Sequence, residues 1–169
     1  IFAETILGTG GMIVPPPGWL AKLKALAEKW GALLILDEVQ VSPAKTGKLW
    51  CFEHEGVIPD ILTLGKGIGA GTPIGATVTT PTLAEQARGR CGVPWAGTYA
   101  GDGLYAAVAR RQLEILIAQD LSARAALMGE RLLAGLRELQ DRCDIIGDVR
   151  GRGLYVGVEI VADRTSKTP

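Results

Sequence analysis

The chain has 169 residues, of which 47% are hydrophobic and 21% are charged, so it is long enough to bury a substantial core. Its 18 basic and 18 acidic residues give a formal net charge of zero, unlike the basic composition typical of nucleic-acid-binding proteins. No apolar run approaches the ~20 residues of a membrane helix, so neither nucleic acid nor membrane is expected as a partner. Three widely spaced cysteines predict no disulfide framework and no zinc site, and favour a reducing, cytoplasmic environment: Cys51, Cys91 and Cys143.

The first part of the chain predicts a strand, a turn and a helix. The chain begins inside an apolar strand at residues 1–3, without a methionine or a signal-peptide pattern, so we expect a fragment of a longer protein. Glu4 ends this strand, and a glycine-rich turn follows. Apolar residues at helical spacing predict a helix from Trp19 to Trp30, which Gly31 would end. Its predicted buried face consists of Trp19, Leu20, Leu23, Leu26, Ala27 and Trp30.

Two apolar runs, Leu33–Leu36 and Ile61–Leu64, predict buried parallel strands, because both lack the polar alternation of a half-exposed strand. Asp37 follows the first run directly, and Lys66 lies just beyond the second, 29 positions later along the chain. That distance leaves room for one crossover, so parallel strands would bring both residues to the same edge of the sheet, namely the edge formed by the carboxyl ends of the strands. In open α/β sheets, ligands bind at this edge.

A lysine and a carboxylate at one sheet edge suit a particular chemistry. A lysine amine can bind an aldehyde cofactor as a Schiff base and, once freed, can move protons on a substrate carbon. A carboxylate beside a pyridine nitrogen keeps that nitrogen protonated, since at ~4 Å and an effective dielectric of about 20 the attraction is roughly 4 kcal/mol. Alternatively, Asp37 caps a helix and Lys66 is a solvated loop residue between two glycines.

Several motifs together resemble the class III pyridoxal-phosphate-dependent aminotransferases, a family of fold type I. The motifs are Ala3-Glu4 with Gly10-Gly11, LLILDEVQ at 33–40, Lys45-Thr46-Gly47, PDILTLGKGIGAGTPIGA at 59–76, Gly97-Thr98, and 148–154. Within the class, the chain looks most similar to the 2,2-dialkylglycine decarboxylases. The resemblance covers nearly the whole chain and implies that pyridoxal phosphate is the cofactor.

The resemblance also implies roles for individual residues around the cofactor. Lys66 would carry the cofactor and shuttle protons, Asp37 would hold the pyridinium, and Val39 and Gln40 would flank the ring. The neighbouring loop, Val41 to Lys45, departs from the family pattern, because it has fewer glycines and replaces an arginine by lysine.

Three further residues are implied at the edges of the site. Glu4 would lie at the edge of the cofactor and Thr9 near the substrate. Alternatively, Glu4 is a capping residue and Thr9 is a turn residue. Thr98 would reach the cofactor phosphate of a neighbouring subunit, which implies a homodimer or a dimer of dimers. His54, the only histidine, is not expected to be catalytic.

The loop after Thr98 raises the question of a metal ion. Ordinary members of the class have Asn-Pro where this chain has Asp102-Gly103, whereas the dialkylglycine decarboxylases share the aspartate and hold an alkali ion there. The Thr98 hydroxyl, the Ala100 carbonyl and the Asp102 carboxylate would supply oxygen ligands for potassium or sodium. The alternative is that Asp102 caps the following helix.

The remaining segments complete an α/β pattern with a mainly parallel sheet. Strands are predicted at 73–79 and 154–161, a glycine-punctuated turn at 145–153, and helices at 82–90, 104–119 and 121–143. The leucine stripes of the last two helices are expected to pack in the core. We assign residues 1–125 to a large cofactor-binding domain, and 126–169 to a connecting helix and the start of a smaller C-terminal domain.

Three functions are consistent with these features. The first is a decarboxylating transaminase that acts on a small 2,2-dialkyl amino acid with a 2-oxo acid as acceptor. The second is an ordinary ω-amino acid or ornithine-type aminotransferase, and the third is a non-catalytic binding module. The residues that stack on the cofactor ring and the arginine that holds a substrate carboxylate are expected outside this stretch.

Overall fold

The computed structural model describes residues 1–91 and 97–168. Within these ranges, the first sheet contains β1 (Phe2–Glu4), β2 (Ile35–Asp37), β3 (Ile61–Gly65) and β4 (Gly75–Thr79). A second sheet is formed by β5 (Ile146–Arg152) and β6 (Tyr155–Ile160). The helices are α1 (Trp19–Lys29), α2 (Pro81–Cys91), α3 (Gly103–Ala118) and α4 (Leu121–Arg142), with 3-10 turns at Cys51–Glu55 and Lys66–Gly69.

The first sheet has the strand order β1-β2-β3-β4. The pairs β1/β2 and β2/β3 are parallel, as predicted, and only β4 runs antiparallel to its neighbour. The parallel register places Glu4 beside Asp37, the last residues of β1 and β2, and Asp37 beside Thr63, two residues before the end of β3. The predicted sheet edge therefore exists, and both strands that lead to it end there.

The core lies against one face of this sheet. Its buried side chains include Leu34, Leu36, Leu62 and Leu64 from the strands, which pack with Leu20 and Ala27 of α1 and Ala109 of α3. Because side chains alternate along a strand, this packing leaves Glu4, Asp37 and Thr63 together on the opposite face.

Helix α1 confirms the predicted start and stop, but its predicted buried face is partly wrong. The helix ends at Lys29, and Gly31 adopts the left-handed conformation (φ 60°) that commonly follows a helix. Leu26 is 46% exposed and Trp30 is 71% exposed. The core contacts the side of the helix that carries Leu20 and Ala27. Leu26 and Trp30 lie outside this contact.

The glycine-punctuated segment 145–153, predicted as a turn, is wrong in part: it contains strand β5. Residues 146–152 pair with β6 in an antiparallel hairpin, which satisfies the backbone groups along the segment. Gly151 faces Tyr155 and Val156 so closely that a β-carbon would lie 2.7 Å from Cα of Val156. The glycines therefore allow close strand contact here.

The leucine stripe of α4, predicted as core, is also largely exposed in the described part of the chain. Leu127, Leu132 and Leu139 are 50%, 42% and 44% exposed, whereas the buried positions of this helix are Ala125 and Gly129. The side of α4 that faces the β5–β6 hairpin carries small residues, because they permit close approach. In α3, Ile117 is similarly 64% exposed.

The β5–β6 hairpin packs onto the loop that follows β2. The backbone N–H of Leu154 donates to the carbonyl of Lys45 at 2.8 Å, and Gly153 lies against the backbone of Thr46. The division of the chain near residue 125 stays a prediction. None of the helices within residues 1–91 and 97–168 combines the length and apolar character needed to cross a bilayer.

Candidate active site

The centre of the site is the row of polar side chains at the ends of the parallel strands. Asp37 is half-buried, and its Oδ1 accepts a hydrogen bond from the backbone N–H of Val39 at 2.9 Å. This bond fixes the carboxylate beside Thr63, whose buried hydroxyl has no hydrogen-bond partner among the described residues. An acidic group and an unsatisfied hydroxyl thus share one face of the sheet edge.

Lys66 follows the last residue of β3 and begins a 3-10 turn. Its side chain is exposed, and its backbone has φ 47°, a left-handed conformation that is unfavourable for a residue with a β-carbon. The preceding Gly65 packs against Val39, since a β-carbon there would approach Val39 Cγ1 to 3.2 Å. Val39 and Lys66 are therefore held at the same edge as Asp37.

An apolar cavity of about 530 Å³ opens next to this edge. Glu4 and Asp37 supply its acidic groups, and its apolar lining includes Phe2, Ile13 and Trp19. The Glu4 carboxylate accepts the backbone N–H of Gly8 at 3.0 Å, so it closes the glycine-rich turn. Glu4 therefore makes a capping contact, which was the alternative prediction for this residue. Thr9 is exposed in the same turn.

Gln40 lies at the junction between the loop after β2 and the C-terminal hairpin. Its Oε1 accepts a hydrogen bond from the hydroxyl of Tyr155 at 3.1 Å. The backbone carbonyl of Gln40 accepts from the ammonium of Lys45. The Lys45 Nζ lies 6.0 Å from the centre of the Tyr155 ring, within the range of a cation–π contact.

Lys45 and Lys66 are close enough to influence each other. Burial, together with the positive charge of Lys66, lowers the pKa of Lys45 below its usual value. A β-carbon on Gly67 would lie 3.5 Å from Cε of Lys45, so this side chain passes directly beside the turn that carries Lys66. The lysine that departs from the family pattern is therefore part of the electrostatic surroundings of Lys66.

Glu38 is a structural residue that sequence reasoning missed. It is fully buried, and its carboxylate accepts the backbone N–H groups of Cys51 at 2.8 Å and Phe52 at 2.7 Å, as well as the hydroxyl of Ser42. Burial raises the pKa of Glu38, although these donors oppose the shift. In the sequence, only its position between Asp37 and Val39 indicates a role for Glu38, because its partners lie up to 14 positions away.

Arg150 is a second residue that was missed, and it supports the turn near Thr9. Its Nε donates to the carbonyl of Gly11 at 2.6 Å, and its Nη1 binds the carboxylates of Asp148 and Glu159 at 2.7 and 2.6 Å. These two carboxylates raise the pKa of Arg150. The hairpin thereby holds the glycine-rich turn as well as the loop at Gln40.

The predicted metal loop lies elsewhere on the surface. Thr98 and Ala100 are exposed, and Asp102 Oδ1 accepts the backbone N–H of Leu104 at 2.8 Å, so Asp102 caps α3. This loop and residues 73–75 line a separate cavity of about 490 Å³. The described ranges contain no cluster of three or more His, Cys, Asp or Glu side chains. The cap alone accounts for Asp102 structurally.

His54 is set apart from the row at the strand ends. Its Nε2 lies 3.1 Å from both the carbonyl and the hydroxyl of Thr46. Burial, and secondarily the charge of Arg152, lowers the pKa of His54. The ring therefore stays neutral near pH 7 and anchors the loop.

A mainly parallel sheet with polar side chains at the carboxyl ends of its strands is the arrangement in which open α/β proteins bind ligands. The family model described as aminotransferase class-III matches residues 1–168, and the chain belongs to this family. It is 42% identical over 166 residues to alanine–glyoxylate aminotransferase 2 homolog 2 of Arabidopsis thaliana, covering 98% of this chain and 34% of that protein. It is 41% identical over 172 residues to taurine–pyruvate aminotransferase of Rhodobacter capsulatus, covering 98% and 38%.

Solved structures agree with this assignment. An (S)-enantioselective ω-transaminase from Thermomicrobium roseum superposes with a TM-score of 0.91 at 40% identity, covering 99% of this chain and 38% of that one. An amine transaminase from an uncultivated Pseudomonas species, in its PLP-bound form, gives a TM-score of 0.92 at 37% identity, with 99% and 39% covered. The predicted fold class is confirmed. The chain spans about a third of the length of the curated relatives that it matches.

Proposed function

We propose that the full-length protein is a pyridoxal-phosphate-dependent aminotransferase, which moves an amino group from an amino acid or amine to a 2-oxo acid. The observation that carries this proposal is the placement of Asp37 and Lys66 at the carboxyl ends of two adjacent parallel strands. Family membership and the transaminase names of the relatives support it.

The residues at this edge fit the cofactor chemically. Asp37 offers a carboxylate that Val39 N–H already orients, and Lys66 offers an exposed primary amine. The buried Thr63 hydroxyl still has hydrogen-bonding capacity, because no described residue uses it. A buried polar group without a partner costs about 1–3 kcal/mol, so a polar ligand at this place would stabilise the edge.

Bound pyridoxal phosphate supplies a protonated ring that accepts electrons when a bond to the substrate carbon breaks. Lys66 Nζ would bind the cofactor aldehyde, and as a free amine it would hold and move the proton at the substrate carbon. Asp37 would keep the ring nitrogen protonated, and Val39 and Gln40 would flank the ring. Lys45, next to Lys66, adds positive charge beside this site.

The outer residues complete the proposal. Glu4 lines the cavity and would lie at the edge of the cofactor, and the exposed Thr9 would lie near the substrate. Thr98 would bind the cofactor phosphate of a second subunit, so we propose a homodimer or a dimer of dimers. A cytoplasmic location also stays a prediction; the similar Arabidopsis protein is described as mitochondrial.

The relatives support an ordinary aminotransferase as the leading subtype, since their names include alanine–glyoxylate, taurine–pyruvate and acetylornithine aminotransferase. The second candidate is a transaminase that couples amino transfer to decarboxylation of a 2,2-dialkyl amino acid. Asp102 favours it, because an alkali ion held by Thr98, Ala100 and Asp102 would mark that subtype. The capping bond of Asp102 uses only one carboxylate oxygen, Oδ1.

The subtypes are separated by one assay of the full-length protein with pyridoxal phosphate. Alanine, taurine, acetylornithine and 2-aminoisobutyrate are offered as amino donors with pyruvate or glyoxylate, and carbon dioxide release is measured with and without potassium. Amino transfer without carbon dioxide supports the ordinary subtype. Potassium-dependent carbon dioxide release from 2-aminoisobutyrate supports the second. If no donor reacts, the protein is not an aminotransferase for these donors, and the non-catalytic alternative gains support.

A further inference from the structure

Tyr155 comes from the C-terminal hairpin but lies within the site. It is the first residue of β6, only 8% exposed, and it packs with Ile6, Val41 and Cys51 in a small core cluster. Its hydroxyl reaches across 115 positions of sequence to Gln40 Oε1, at 3.1 Å. The phenol is therefore directed at a side chain that the proposed function places beside the cofactor ring.

We propose that Tyr155 is a positioning residue, whose hydroxyl holds Gln40 Oε1 and so turns the Gln40 amide nitrogen towards the cofactor. This inference rests on the proposed function, because it concerns how Gln40 is presented to the ring. A glutamine amide has an acceptor end and a donor end, and a phenol that donates to the oxygen fixes which end is which. The described residues provide no hydrogen bond to Gln40 Nε2, so its donor groups stay available.

Two further contacts hold this arrangement in place. Gly8 lies so close that a β-carbon there would come within 2.6 Å of Gln40 Oε1 and would also collide with the Tyr155 hydroxyl. Lys45 holds the other side, because its ammonium binds the Gln40 backbone carbonyl and faces the Tyr155 ring. Gln40 is thus fixed through both its main chain and its side chain.

The hydroxyl also keeps its proton. Burial, followed by the negative charge of Glu4, raises the pKa of Tyr155 above its usual value. Tyr155 therefore remains a hydrogen-bond donor at neutral and mildly alkaline pH. An acceptor-only phenolate would instead bind the amide nitrogen and reverse the glutamine.

A double-mutant cycle on the full-length protein tests this role. Tyr155→Phe, Gln40→Ala and the double variant are compared by their dissociation constants for pyridoxal phosphate. A net hydrogen bond contributes about 1 kcal/mol, so we expect Tyr155→Phe to weaken cofactor binding about fivefold. If Tyr155 acts through Gln40, the double variant binds no more weakly than Gln40→Ala alone.

A second readout does not depend on the cofactor. The same cycle is repeated on the apoprotein by its melting temperature, where Tyr155→Phe and Gln40→Ala are also expected to be non-additive. The positioning role would be overturned if the fold-losses of cofactor affinity in the two single variants multiply in the double variant, or if Tyr155→Phe binds the cofactor as tightly as the wild type. The proposed function would stand in either case. If the wild-type protein binds no cofactor, the positioning role and the proposed function fail together, even where coupling in the apoprotein persists.

Discussion

Gly129 of α4 lies directly against Gly153, the first of the two residues between β5 and β6, with no space for a side chain. A β-carbon on Gly129 would approach the Cα and carbonyl group of Gly153 to less than 3.0 Å, closer than real side chains come to backbone. Gly153 itself has φ 58° and lies against Lys45 and Thr46. Helix, hairpin and site loop therefore meet through two glycines.

Gly129→Ala should consequently destabilise the protein. The clash is with backbone, which cannot rotate away, so we expect the free energy of unfolding to fall by about 1–3 kcal/mol. Gly135→Ala in the same helix is the matched control, because nothing lies within 4 Å of its β-carbon position. That control should gain about 0.5–1 kcal/mol from better helix propensity. Urea unfolding of both variants measures the difference, and equal effects would contradict the close packing.

Glu38 should matter for stability rather than for chemistry. Glu38→Ala leaves the N–H of Phe52 without its acceptor and the N–H of Cys51 with only the more distant Ser42 Oγ at 3.3 Å, and it also removes the partner of the Ser42 hydroxyl. We therefore expect a loss of about 3 kcal/mol in the free energy of unfolding. The control is Glu85→Ala on the exposed surface of α2, which should change stability by less than about 0.5 kcal/mol. Urea unfolding of the apoprotein is the measurement. A Glu38 variant as stable as the control would refute the structural role.

The lowered pKa of His54 predicts a pH dependence. Burial keeps the folded-state ring neutral where the unfolded-state ring, with a pKa near 6.5, already binds a proton. Unfolding therefore takes up protons below about pH 6.5, so this contribution to stability is present above that pH and is lost as the pH falls. His54→Gln should lose less stability than the wild type between pH 7.5 and pH 5.5, as measured by urea unfolding at both values. The same loss in both proteins would rule out the effect.

The left-handed backbone of Lys66 predicts that a glycine variant at this position is more stable than an alanine variant. A left-handed residue with a β-carbon costs roughly 1–2 kcal/mol, a cost that glycine avoids. Lys66→Gly should therefore be about 1 kcal/mol more stable than Lys66→Ala in the absence of cofactor. At the exposed Lys48, which is not among the residues with positive φ, glycine should give no such advantage. Melting temperatures of the four apoproteins test this, and an alanine variant at 66 as stable as the glycine variant would contradict it.

The elements that local patterns predicted well are those with strong periodicity or clear stops. Helix α1 and the runs before Asp37 and Lys66 fall within one or two residues of the predicted positions. The sheet edge could be predicted because the carboxyl ends of neighbouring parallel strands lie on the same side of a sheet. The segment at 145–153 was predicted wrongly, since its glycines indicate a turn locally, whereas pairing with β6 makes it a strand.

Contacts between distant parts of the chain could not be predicted from local patterns. The hydrogen bond of Tyr155 with Gln40 and that of Arg150 with Gly11 join residues more than 100 positions apart. The leucines of α4 looked like core residues because periodicity reports an apolar face but not what covers it. In the described ranges that face is exposed at Leu127 and Leu132.

We propose that Lys66, rather than its neighbour Lys45, binds the cofactor. The full-length protein is incubated with pyridoxal phosphate, reduced with borohydride to make the attachment permanent, and digested, and the modified lysine is identified by mass spectrometry. We expect modification at Lys66, and loss of the visible absorbance band in Lys66→Ala but not in Lys22→Ala, the substitution of an exposed lysine of α1. Modification at Lys45, or a band that survives in Lys66→Ala, would contradict it.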